Sequence, residues 1–366
     1  MAKILHTADL HIKDGEEKAY CFGVLDEIIA LAIYQKAGFL VIAGDLFDSF
    51  SDFEALRGEV GVRLKPLMEA GCKIIYIPGN HEGRGSPAPL SKFNLDPIKF
   101  YAKLPFTFVE MDGIEFLCVP HTGNYDGYRE WKIPAKKPGV ARIAVLHALN
   151  STIYTGPDPE TDSRAGVIDD DFFKRFSIDY AALGHVHAGR EQSLGGVVAC
   201  YPGSPRVWRA HIREAGVKSV RMVEITGAAV NTWAENLDSA GRYLEYRLPL
   251  DLNGTLSEDA IKKLEKDISE LDLVSVRLSG VIENENDAKA AAAVLEARLR
   301  KRARQAYVLL ETDLAGEISE NSVTKNFLAE LDKLKPLEAQ RDEYLKWLLA
   351  RRLGLEALAG HIRGAK

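Results

Sequence analysis

The run FLVIAGDLFD, residues 39–48, joins five apolar residues to a glycine and then to Asp45 and Asp48. A short continuous apolar run that ends in a polar cluster reads as a strand buried on both faces, presenting its polar residues at its C-terminal end. The same design occurs upstream in KILHTADLH (3–11) and downstream in KIIYIPGNHE (73–82), EFLCVP (115–120), RIAVLH (142–147), YAALGH (180–185) and VVACYPGS (197–204). Between these runs apolar residues recur at three- and four-residue spacing over Ala19 to Lys36 and Phe53 to Ala70, which predicts helices. The alternation continues to about Val223 and predicts a layered α/β domain with a site at the C-terminal ends of its strands.

With 366 residues the chain exceeds the size at which one hydrophobic core usually stops growing, so two or three domains are expected. At 46% hydrophobic and 27% charged residues it has the balance of a folded globular protein, which excludes a disordered chain. The net charge of -6 argues against a uniformly basic nucleic-acid binder, although a local patch or bound cations can reverse the sign locally. Cys21, Cys72, Cys118 and Cys200 lie far apart without CxxC spacing and are expected to be buried free thiols. No apolar run reaches the roughly 18 residues of a membrane span, and MAKILHTADLH lacks a signal pattern, so no membrane association and a cytoplasmic location are expected.

The pattern changes at the polar stretch Leu237 to Arg242. Beyond it, YLEYRLPLDL, helical segments Ser257 to Leu271 and Asn286 to Arg304, and the runs VSVRLSGVI and AYVLLETDL predict a small βαβαβ-like domain. From SENS, with Ser319 or Ser322 as cap, one helix is expected to run to Pro336 and a second to about Gly360. The expected domains are therefore 1–240, 241–317 and 318–366. Val323, Phe327, Leu331 and Leu334 on one tail helix, with Tyr344, Trp347, Leu348, Leu355 and Leu358 on the other, exceed what two helices can bury between themselves. The hairpin must dock, on its own chain or on a partner.

Five strand ends carry the candidate chemistry: Asp9 and His11, Asp45, Asn80 and His81, His147, and His185 and His187. On an extended segment alternate side chains point the same way, so Asp9 and His11 are expected to grip one ion together. Carboxylate oxygen with imidazole nitrogen, and no thiolate, suits manganese, iron or zinc better than calcium. A glycine before Asp45, Asn80 and His185 lets the backbone turn sharply and approach the site. Each motif alone reads as a chance pair, a core histidine or a turn; all five in order, each closing an apolar run, read as a site. Seven ligands are too many for one tetrahedral zinc and predict two ions. Two cations about 3.5–4 Å apart can share a hydroxide nucleophile and neutralise the charge that builds on an already anionic phosphate. His6 and His121 read as structural residues, and His211 and His361 as surface ones.

Together these blocks resemble the calcineurin-like metallophosphoesterase signature. LHTADLH, GDLFD, IPGNHE, GHVH and YPGSPR are similar to the wording of the SbcD-type DNA-repair nucleases, the bacterial relatives of the nuclease subunit of the eukaryotic and archaeal break-repair complex. The resemblance implies a layered β-sandwich flanked by helices, a small α/β capping domain that helps hold DNA, and a helical hairpin that docks on an SbcC-type coiled-coil ATPase. It also implies a homodimer, with Phe53 to Ala70 a candidate pairing helix. By the same resemblance Asp9, His11 and His187 hold one metal, usually manganese, and Asn80, His147 and His185 the other, with Asp45 bridging. His81 is then the catalytic non-ligand, donating a proton to the leaving oxygen or stabilising the transition state. One position departs from archaeal and eukaryotic members, which carry a second active-site histidine three residues after the bridging aspartate; here it is Asp48, a candidate for orienting a ligand. The most basic stretch, Arg298 to Arg304, is a candidate phosphate contact.

The expected function is a metal-dependent DNA exonuclease or endonuclease in double-strand-break repair or end processing. A stand-alone phosphodiesterase or phosphatase on nucleotides or small esters shares all seven ligands but leaves the long C-terminal extension unused. A DNA-tethering scaffold has no need for the ligands together with His81.

Overall fold

The computed structural model describes residues 2–93, 95, 98–155, 166–227 and 229–364. Met1 and the last two residues of the expected hairpin lie outside them. The chain divides into two compact units, Met1–Arg242 and Tyr243–Lys366.

In the first unit the runs FLVIA and KIIYI are continuous because their strands are covered on both faces. Phe39–Ala43 lies between Ala2–Thr7 and Lys73–Ile77, and all three are parallel. The short strand Lys99–Phe100 and the antiparallel hairpin Ser219–Thr226/Ala229–Asn236 complete a six-stranded sheet. A second six-stranded sheet has Ile114–Val119, Ala141–His147, Tyr180–Gly184 and Val197–Tyr201 in parallel at its centre, edged by the antiparallel strands Thr107–Met111 and Arg190–Leu194. Between the sheets Ile4, Val41 and Ile75 share a core with Phe116, Ile143, Val145 and Ala182.

Helices cover the outer faces. Lys18–Tyr34 and Phe50–Glu69 place Phe22, Leu25, Ile28, Phe53 and Leu64 in a core with Leu5, Leu40 and Ile42 of the first sheet. Phe172 and Phe173 of Asp170–Arg175 pack with Leu146 and Leu183 of the second. This is the layered α/β domain that the strand–helix alternation predicts, built as the β-sandwich flanked by helices that the resemblance implies. The second helix starts three residues before its predicted position because Ser49 caps it, its hydroxyl accepting the Asp52 N–H at 3.1 Å. Phe53 is fully buried in an aromatic cluster with Phe47, Phe50 and Phe93. Burial of one such side chain is worth roughly 1.5–3 kcal/mol, so packing holds this helix more than propensity does. All four cysteines are buried and free. Among the described residues no helix is long and apolar enough to cross a membrane.

The second unit holds a three-stranded parallel sheet, Tyr243–Pro249, Leu273–Ile282 and Gln305–Leu314. Helices Glu258–Asp267 and Glu285–Leu299 supply Ile261, Leu264, Ala292 and Leu295 to a core with Val274, Val276 and Leu278. The tail forms helices Ser322–Asp332 and Arg341–Gly364. The first is capped by Asn321, whose side chain accepts the Val323 N–H at 2.9 Å, rather than by Ser319 or Ser322. Leu355 and Ala359 share a small core with Leu252, Val281 and Ile318, so part of the hairpin's apolar face is used within this unit.

Candidate metal centre

The first strand stops at Thr7, and Asp9 and His11 belong to the loop beyond it, with φ of 56° and 47°. The expectation that strand parity aligns these two side chains is therefore corrected. Their loop is held against the one after the second strand: Asp9 N–H donates to Gly44 O at 3.1 Å, His11 N–H to Asp45 O at 2.9 Å and Ile12 N–H to Leu46 O at 2.8 Å. Asp45 (φ 49°) and His185 (φ 97°) are also left-handed, so four of the seven non-glycine residues with positive φ among those described are candidate ligands. Each such residue costs on the order of 1–3 kcal/mol, which the surrounding hydrogen bonds must sustain.

Close approach explains two of the glycines. A Cβ at Gly79 would lie 2.0 Å from Asp45 Oδ1, and one at Gly44 (φ +91°) would lie 2.1 Å from Nδ1 of His147. Only glycine lets these turns press against the site. His147 leaves the second sheet yet directs Nδ1 to the Ala43 carbonyl of the first at 2.9 Å. The C-terminal ends of the parallel strands of both sheets thus meet at one place.

All seven predicted ligands and His81 are brought together there. Nε2 of His11 lies 3.2 Å from Nε2 of His187, and the backbone N–H of His185 reaches Asp9 Oδ1 at 3.0 Å. Asn80 Oδ1 is 2.9 Å from His147 Nε2 and 3.3 Å from His185 Nδ1. Between these groups sits Asp45. Its Oδ1 accepts the His81 N–H at 3.0 Å, while Oδ2 faces Nε2 of His147 at 3.3 Å and Nε2 of His11 at 3.9 Å without a well-formed hydrogen bond. Donor atoms of Asp9, His11 and His187, of Asp9, Asp45 and His147, and of His11, Asp45 and His81 each lie close enough together to hold an ion. A fully buried carboxylate oxygen that faces two imidazoles without a well-formed hydrogen bond is the feature a shared cation fits.

The electrostatics agree. Burial pushes the Asp9 carboxyl up to about 6, with the Asp45 charge adding to the rise. Burial also opposes the charge on Asp45, but the His147 imidazole holds it well below the usual carboxylate range. Burial works against His147 becoming charged as well, yet Asp45 and Asp9 raise it to about 10. His11, buried, is lowered to about 4. Two buried carboxylates therefore recruit a proton onto His147, and a divalent cation offers them stronger compensation.

Two neighbours, Glu214 and Trp208, were not singled out by sequence. Glu214 Oε1 lies 3.2 Å from His187 Nδ1 while Lys218 donates to its other oxygen at 2.7 Å; although burial opposes its charge, these partners lower its carboxyl to about 2. This carboxylate orients the imidazole of His187, a predicted ligand. Asp48, the departing position, faces His11 Nδ1 at 3.2 Å through Oδ1, and its carbonyl accepts from His81 Nδ1 at 2.7 Å. Glu82, which follows His81, accepts from Tyr76 O–H (2.6 Å), Gly79 N–H (2.9 Å) and Phe47 N–H (3.0 Å), tying the second and third loops together. Trp208 stacks on His11, and His121 sits against His147 with ring centroids 5.8 Å apart. His6 is buried between the sheets and bonded to the Tyr180 hydroxyl at 2.8 Å.

The sequence model of the calcineurin-like phosphoesterases matches residues 2–189. The DNA double-strand break repair protein Mre11 of Sulfurisphaera tokodaii is 28% identical over 284 residues, covering 72% of this chain and 68% of that protein. The SbcD component of the nuclease SbcCD of Escherichia coli K12 is 25% identical over 56% of this chain and 60% of its own. The uncharacterized metallophosphoesterase YhaO of Bacillus subtilis is 24% identical over 62% of this chain and 58% of its own. This chain thus spans between 58% and 68% of the length of these three relatives.

Proposed function

The chain belongs to the calcineurin-like phosphoesterase family, whose members work at a dinuclear metal site, and from that premise we propose that it is a metal-dependent DNA nuclease of double-strand-break repair or end processing. The observation that carries the reading is the gathering of Asp45, whose Oδ2 has no well-formed hydrogen bond, with six other donor side chains and His81 at one place. Asp9, His11 and His187 would hold one ion and Asn80, His147 and His185 the other, with Asp45 between them and manganese as the metal. Divalent ions held there supply electrophilic stabilisation of a phosphate and activation of a water. The chain keeps the donors oriented and mostly buried. His81, with Nδ1 bonded to the Asp48 carbonyl, would donate a proton to the leaving oxygen.

DNA as substrate is supported by the similarity to break-repair proteins, which covers 72% of the chain and so extends beyond residues 2–189. Residues 241–317, all but the first two of them in the second unit, would cap the substrate. Arg298 is tied to Glu258 and Glu265, and Arg300 to Glu296, which leaves exposed Lys301 and Arg302 as the phosphate contacts of the basic stretch. Residues 318–366 would dock on an SbcC-type ATPase through Leu345, Leu349 and Leu353, exposed at four-residue spacing on one helix. A homodimer would pair through Phe50–Glu69, on which Val62 is exposed.

The test is hydrolysis of linear double-stranded DNA and of bis-p-nitrophenyl phosphate, each with manganese, with magnesium and with chelator, by wild type and Asp45→Asn. DNA cutting that requires manganese and Asp45 is the expected result. Turnover of the small ester with intact DNA would replace this reading with a stand-alone phosphodiesterase, and inactivity on both would favour a DNA-tethering scaffold.

A further inference from the structure

Trp208, Asp48 and His11 form a closed triangle. The indole ring stacks on the imidazole with centroids 4.2 Å apart and planes 15° from parallel. Its Nε1–H donates to Asp48 Oδ1 at 2.9 Å, and the same oxygen lies 3.2 Å from His11 Nδ1. The indole thus holds both of the other side chains, one by stacking and one by a hydrogen bond. Asp48 Oδ1 stands beside Nδ1 without a well-formed hydrogen bond, and its charge favours the proton on that nitrogen, which leaves the Nε2 lone pair available, as a ligand imidazole requires. Nε2 is the nitrogen that faces His187 Nε2 at 3.2 Å and Asp45 Oδ2 at 3.9 Å. The stacked indole also prevents the imidazole from turning over, a motion that would place carbon where Nε2 now sits.

We propose that Trp208, acting through Asp48, is a positioning residue for His11 and sets the affinity of one of the two metal positions. The inference rests on the two-metal reading above. Its selectivity follows from where the indole reaches. Besides His11, its ring meets His187 at 4.9 Å and His81 at 5.6 Å, both edge to face, whereas its ring contacts among the described residues include none to Asn80, His147 or His185. Asn80 instead ties His147 and His185 to each other, with Oδ1 within 2.9 and 3.3 Å of their rings. Trp208 is half-buried, so its replacement does not open the sandwich core.

The experiment is a manganese titration by calorimetry of the full chain after chelator treatment, comparing wild type, Trp208→Phe, Trp208→Leu and Asp48→Asn. Cobalt absorption spectra of the same proteins report the coordination geometry. Trp208→Leu, which removes stack and donor, is expected to weaken one site about 10–100-fold and leave the other unchanged. Trp208→Phe, which keeps the stack, should fall between, and Asp48→Asn should weaken the same site. Two ions bound alike by wild type and Trp208→Leu would overturn the role of Trp208 alone. Equal weakening of both sites in Trp208→Phe would reduce the indole to general packing. A wild type that takes up fewer than two ions would overturn the two-metal reading and this inference with it.

Discussion

Arg206 donates through Nη2 to the backbone carbonyl of His11 at 2.6 Å, although 195 residues separate the two in the chain. Through Nε it also donates to the Leu10 carbonyl at 2.5 Å, and through Nη1 to Glu17 at 3.2 Å, while being itself fully buried. One guanidinium therefore holds the left-handed loop that carries Asp9 and His11. Lysine cannot reproduce this fork. Arg206→Lys is expected to leave at least one buried carbonyl unpaired, destabilising the protein by roughly 1–3 kcal/mol and weakening metal uptake. Thermal unfolding and manganese titration of the variant check this, and an unchanged melting temperature with unchanged affinity would sink it.

His81 meets two descriptions in the structure. Its Nδ1 is committed to the Asp48 carbonyl, as suits a proton donor, yet a donor atom of the same residue is near those of His11 and Asp45. If it is the proton donor, His81→Ala should lower turnover about 100- to 10,000-fold and still bind two manganese ions per chain. A stoichiometry of one would make His81 a ligand instead.

What the sequence made legible was the buried half of the site. Strands covered on both faces are unbroken apolar runs, so the ends that carry Asp45, Asn80, His147 and His185 stand out. REQSL, the strand Arg190–Leu194, exposes four of its five residues and has no such signature. AVNTWAEN, the strand Ala229–Asn236, has no fully buried residue at all. The backbone of the first motif was hidden for another reason. Left-handed Asp9 and His11 carry no mark in their residue type, and a D-x-H spelling reads equally well as strand parity. Glu214 and Trp208 lie in a stretch between strands with no periodicity to read, and the fold alone brings them to His187 and His11.

On the last helix Leu355 and Leu349 are close in sequence and opposite in environment. Leu355 is fully buried against Leu252 and Val281, whereas Leu349 is 47% exposed. Leu355→Ala should destabilise the second unit by about 2–5 kcal/mol. Leu349→Asp should change stability by no more than about 0.5 kcal/mol, because it removes little buried surface. Denaturant unfolding of each variant decides the matter. A Leu349→Asp protein that unfolds as readily as Leu355→Ala would show that the exposed stripe is part of the fold and not available to a partner.

Metal removal should be felt as stability, because the folded chain buries Asp9 and Asp45 side by side, and together they raise His147 to about 10. Ions that bind the folded chain and not the unfolded one stabilise it by mass action, by about 2.7 kcal/mol at one hundred times the dissociation constant. Manganese is therefore expected to raise the melting temperature in a concentration-dependent way, and excess chelator to return it to the metal-free value. Asp45→Asn removes the charge that faces both imidazole groups, and its melting temperature should respond little to manganese. A wild type whose melting temperature ignores both manganese and chelator would mean that the buried carboxylates are compensated within the chain, and the metal reading of the site would fall.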